Sequence, residues 1–91
     1  RRDLEALVRI PSVSGAGRPE GPLLEAHALV SRLFAEAGVE VSSLELPGTP
    51  PVVMGRIPAP PGAPTVLLYS HYDVVPAGDE ALWETPPFEP V

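Results

Sequence analysis

His71 and Asp73 are the two residues of this chain whose types and spacing could do metal chemistry. Two positions apart on extended backbone, their side chains leave on the same side. A neutral imidazole can hold a cation through one ring nitrogen only if the other carries the proton. A carboxylate beside that N–H fixes the tautomer, orients the ring and raises its basicity as a ligand. His71 would then touch the metal, and Asp73 would brace His71. Spacing alone is a weak signal, because His-x-Asp arises often by chance. A lone histidine after a strand is more often a hydrogen-bonded structural residue than a ligand. Pro76 and Gly78 follow, and they turn the chain away from further strand.

The elements that must position this pair can be read from periodicity. The stretch from Ser70-His71 to Gly78 follows directly on Thr65 to Tyr69, a continuous apolar run expected of a central strand covered on both faces. Functional groups in open α/β sheets collect just past the carboxyl ends of strands. Upstream, Leu4, Leu7 and Val8 follow helical spacing, and Pro11 must stop that helix near Ile10. Residues Pro11 to Gly21 read as loop. Pro22 to Ala37 is the clearest helix, with Pro22 suited to its first turn and Gly38 to the position just past its end. Leu23, Ala26, Leu29, Val30, Leu33, Phe34 and Ala37 share one stripe, and Leu24 falls outside it. Val39 to Leu46 begins as an alternating strand and then changes phase, for which a bulge at Ser42-Ser43 would account. Val52 to Ile57 reads as a second strand, interrupted by Gly55. The short loops predict antiparallel neighbours. The layout is α-α-β-β-β, an α/β class.

The string Thr65-Val66-Leu67-Leu68-Tyr69-Ser70-His71-Tyr72-Asp73-Val74-Val75-Pro76-Ala77-Gly78 resembles the first metal-site signature of a large zinc-dependent metallopeptidase and amidohydrolase family. That family includes acetylornithine deacetylase, succinyl-diaminopimelate desuccinylase, glutamate carboxypeptidase, aminoacylase and dipeptidases. Trp83-Glu84-Thr85-Pro86-Pro87-Phe88 is similar to its tryptophan and proline-phenylalanine segment, and Leu7-Val8-Arg9-Ile10-Pro11-Ser12-Val13-Ser14-Gly15 to its usual opening. The three matches keep the family's order, cover nearly the whole chain and lean to the dipeptidase-like branch. The resemblance implies that residues 1–91 are the N-terminal portion of a catalytic domain whose helices pack on a mixed sheet. It implies that His71 ligates one of two zinc ions and that Asp73 is the catalytic carboxylate bracing it. The family's other groups are a bridging aspartate, a Glu-Glu pair, a further acidic ligand and a late histidine. These would lie beyond Val91, so no role passes to any glutamate here, and the fragment itself should hydrolyse nothing. The implied reaction is hydrolysis of peptide or N-acyl amino acid amides by metal-activated water. One histidine suits cobalt, manganese or nickel as well as zinc. A homodimer of the full-length protein is compatible with the resemblance. The rival expectation is a non-catalytic relative or interaction domain that kept the scaffold and uses His71 and Asp73 structurally.

Charge narrows the partners. The net charge is −6, and no Lys or Arg follows Arg56. Nucleic acid and anionic membrane are excluded as partners, because both need cationic side chains to displace counterions. The absence of cysteine excludes thiolate ligands within these residues. No apolar run approaches the ~20 residues of a membrane helix, and no signal peptide is visible, so a cytoplasmic location is expected. The start at Arg1 rather than Met and the end at Pro90-Val91 read as those of a fragment. Fourteen prolines punctuate the apolar runs as turns rather than forming a low-complexity tract. His27, at the edge of the long helix's stripe, reads as a boundary histidine. Trp83 and Phe88 read as packing residues under an acidic loop, and Asp79 and Glu80 as solvent-exposed turn residues. No Gly-x-Ser-x-Gly elbow or phosphate loop is present. Substrate-binding residues are not identifiable.

Overall fold

The computed structural model describes residues 1–91. Its elements are α1 (Arg2–Val8), α2 (Gly21–Glu36), β1 (Glu40–Leu44), β2 (Val52–Arg56) and a single 3-10 turn at Glu80–Leu82. Helix α1 ends at Arg9, two residues before Pro11, as the backbone restriction on a residue preceding proline requires. Helix α2 carries proline in its first turn. It terminates where Gly38 adopts φ +82°, the left-handed conformation that glycine reaches without Cβ strain. Leu23 and Ala26 are buried, while Leu24 is exposed, as its place outside the apolar stripe dictates.

Strands β1 and β2 form an antiparallel pair with unbroken register: Glu40↔Arg56, Val41↔Gly55, Ser42↔Met54, Ser43↔Val53 and Leu44↔Val52. The bulge expected at Ser42-Ser43 is absent, and the strand is shorter than Val39 to Leu46. The phase change has another cause. Val39 and Val41 face α2, whereas Leu44 lies on the opposite face with Val52 and Met54, all three exposed. Both faces carry apolar residues, so the hydrophobic pattern switches without an extra residue.

Gly55 is explained by packing rather than by a turn. A Cβ there would lie 2.9 Å from Val39 Cγ1 and 3.0 Å from the Phe34 ring. The ring of α2 therefore rests on bare backbone, a close approach that only glycine permits. Gly55→Ala is expected to destabilise the protein by about 1–3 kcal/mol through overpacking, read as a lower denaturant midpoint at unchanged slope.

The third expected strand is not formed. Residues 65–69 belong to no sheet, and Val66, Leu67, Leu68 and Tyr69 are 74–89% exposed. A strand with consecutive apolar side chains needs ladder partners on its edges and cover on both faces. A two-stranded sheet and two helices do not provide them. The mixed sheet is likewise not seen: the sheet is purely antiparallel, and parallel pairing is confined to the isolated bridge Val13↔Val74. The buried residues are Ile10, Ser12, Leu23 and Ala26, so the core sits where the end of α1 and the loop after it meet α2. No helix is long and apolar enough to cross a membrane.

Candidate metal centre

Residues 72–74 are held by the loop that follows α1. Val74 N–H donates to Ser12 O at 3.0 Å, and Ser14 N–H donates to Val74 O at 3.4 Å, forming the parallel bridge. Ser12, 2% exposed, donates its hydroxyl to Tyr72 O at 3.1 Å. Tyr72 leaves on the other side of the backbone, where its hydroxyl donates to Pro51 O at 2.6 Å. Its ring meets His27 edge-on at 6.1 Å. His27 in turn sits 3.1 Å from the hydroxyl of Ser43 on β1. The boundary role expected for His27 is what its surroundings give it. The His-Tyr-Asp segment is thus fixed from two sides, by the α1–α2 loop and by the hairpin.

On that frame, His71 and Asp73 meet as their spacing predicts. His71 Nδ1 lies 3.1 Å from Asp73 Oδ1 and 2.9 Å from Asp73 O. Both partners are acceptors, so Nδ1 carries a proton, and in the neutral ring the lone pair is then on Nε2. The His71 side chain is 69% exposed. The other carboxylate oxygen, Asp73 Oδ2, accepts the Ser14 hydroxyl at 2.5 Å. That hydrogen bond is the main reason the Asp73 carboxyl lies below its ordinary range. Burial opposes the shift and His71 adds to it, so Asp73 is ionised at neutral pH. The Tyr72 phenol is pushed up, first by burial and then by the Asp73 charge. It therefore stays protonated and able to donate to Pro51.

Ser12, Ser14 and the Tyr72–Pro51 contact were not singled out from the sequence. The Ser-x-Ser alternation at 12 and 14 is the available signal, because period-2 spacing places both hydroxyls on one side of an extended segment. What it could not show is the segment they face, some 60 residues away. Beyond the site, Gly78 turns the chain at φ +74°, and Trp83 Nε1 donates to Ala77 O at 3.0 Å. Trp83 and Phe88 line an apolar cavity of about 230 Å³ together with Leu7, Ile10 and Val75, in keeping with a packing role. Asp79 caps the 3-10 turn by accepting from Ala81 N–H at 3.0 Å. No group of three or more His, Cys, Asp or Glu side chains converges anywhere in the chain.

Comparison with known proteins gives the class first. The chain is 36% identical over 98 residues to a Cys-Gly metallodipeptidase of Candida albicans, covering 93% of this chain. It is 41% identical over 66 residues to a cysteinylglycine-S-conjugate dipeptidase of Corynebacterium striatum, covering 71% of this chain. It is 42% identical over 88 residues to a succinyl-diaminopimelate desuccinylase of a Methylobacterium species, covering 92% of this chain. The relatives are dipeptidases and desuccinylases. The similarity to these dipeptidases and desuccinylases runs over 71–93% of this chain. It spans about one fifth or less of the length of these relatives: 20%, 14% and 20% in the same order. No family model and no solved structure matches the chain.

Proposed function

We propose that this chain is the N-terminal portion of the catalytic domain of a metal-dependent hydrolase that cleaves peptide or N-acyl amino acid amide bonds. The observation that carries the proposal is the division of labour at His71. Its Nδ1 is committed to Asp73, its side chain is 69% exposed and Nε2 has no partner within the chain; the neutral ring so held has its lone pair on Nε2, the form in which imidazole ligates a cation. The donor set present fits one ligand of a divalent ion, zinc first, with cobalt or manganese as alternatives. A catalytic zinc centre takes about three protein ligands and an open position, so the other ligands and the general base come from elsewhere in the full-length protein. Two facts support a larger domain. Only four of the 91 residues are buried, and the radius of gyration, 15.7 Å, exceeds the ~13 Å of a compact domain of 100 residues.

Within this division, His71 binds through Nε2, Asp73 holds the ring and its tautomer, and residues 12–14 hold Asp73. When bound, a pair of divalent ions polarises the amide carbonyl and lowers the pKa of the attacking water. The full-length protein should hydrolyse members of a panel of dipeptides and N-acyl amino acids. Turnover should disappear on chelation and return with added zinc. Hydrolysis that survives complete removal of divalent metal would dismiss the proposal.

A further inference from the structure

We propose that Ser14 is a positioning residue for the metal-binding imidazole, acting through Asp73; this rests on the reading of His71 as a ligand. A carboxylate held at one oxygen still swings about its Cβ–Cγ bond. Asp73 is held at both: Oδ1 faces His71 Nδ1 at 3.1 Å, and Oδ2 accepts from Ser14 Oγ at 2.5 Å. The second anchor comes from a different part of the chain, 59 residues away. Its own backbone is fixed by the Val13↔Val74 bridge and the Ser14 N–H to Val74 O bond. A hydroxyl donating to a carboxylate belongs to the short, charge-assisted class of hydrogen bonds. Ser14 thus sets the plane of the Asp73 carboxylate. The imidazole N–H is shared between Oδ1 and the Asp73 backbone carbonyl, 2.9 Å away, and the carboxylate plane decides whether Oδ1 adds its hold to the carbonyl's and so how firmly Nε2 is aimed. The hydroxyl makes no other hydrogen bond, and the backbone bridge does not need it, so removing it leaves the local fold in place.

The test uses the full-length protein with Ser14→Ala, Ser14→Thr and Ser14→Cys. Histidine-selective ¹⁵N NMR of the metal-free protein should show His71 as the Nδ1–H tautomer in the wild type and, in Ser14→Ala, an added Nε2–H fraction, because Asp73 O then holds the N–H without an anchored Oδ1 beside it. Zinc affinity should fall about tenfold, the lower end of what loss of such an outer contact costs. With metal restored, kcat should fall by a similar factor at unchanged KM. Ser14→Thr, which keeps the hydroxyl, should recover the tautomer and the affinity. Ser14→Cys keeps the shape with a weak donor, so it should resemble alanine and serves if the alanine variant does not fold. Wild-type tautomer and zinc affinity in Ser14→Ala or Ser14→Cys would overturn the role of Ser14 while leaving His71 untouched. Full zinc binding in His71→Ala would instead remove the ligand assignment on which the proposal stands.

Discussion

His71→Ala in the full-length protein is expected to lower kcat/KM by about a thousandfold and to reduce the bound metal by one equivalent. The magnitude follows from what the side chain supplies. A bound cation contributes several kcal/mol of transition-state charge stabilisation, and each 1.36 kcal/mol is a factor of ten in rate. The fold should be untouched, because the ring is 69% exposed and its only partner is Asp73. Metal analysis by mass spectrometry, together with steady-state kinetics and circular dichroism, separates the outcomes. Near-normal activity with two metals bound would exclude the assignment. Normal metal content with no hydrolysis in the unaltered protein would favour a non-catalytic relative that kept the scaffold.

Asp73→Ala should cost about a hundredfold in turnover, the upper end for the outer partner of a metal-binding histidine. It leaves the His71 Nδ1–H with the Asp73 backbone carbonyl alone, so the ring is less firmly oriented and less basic as a ligand. Asp73→Asn divides that loss into its parts. An asparagine can accept the His71 Nδ1–H through its oxygen while its amide donates to the Ser14 hydroxyl, which can act as an acceptor. Geometry then survives and the negative charge does not. The asparagine variant should lose about tenfold, from lower imidazole basicity alone. Equal losses in both variants would mean that charge, rather than orientation, is what Asp73 contributes. The measurement is kcat at saturating metal, with zinc affinity determined alongside.

The parts of this molecule legible in its sequence are those set by neighbours in the chain. Pro22 and Gly38 bracket α2 because proline and glycine act on local dihedral angles. The hairpin was legible from short turns between alternating runs. His71 and Asp73 meet because two-residue spacing on extended backbone leaves little choice. The remainder depends on contacts between distant positions. Gly55 is visible as an interruption, but the ring of Phe34 that requires it is 21 residues earlier. Ser14 looks like an ordinary loop serine until Asp73 is placed against it. Residues 65–69 carry a strand-like composition, yet a strand exists only where partners offer hydrogen bonds. The apolar composition fixed what the segment needs and not whether these residues could provide it.

That segment also bears on how the protein survives its own synthesis. Extended apolar backbone with unpaired N–H and C=O groups is a template for stray chains, and the hazard lasts until the run acquires its neighbours. Val66, Leu67, Leu68 and Tyr69 are bounded by Pro64 on one side and Pro76 on the other, with Pro58, Pro60 and Pro61 just upstream. Each proline withholds a donor and interrupts any ladder that tries to extend past it. Apart from making turns, prolines so placed have the positions of gatekeepers, flanking an apolar stretch that ends one residue before Ser70-His71 begins the site.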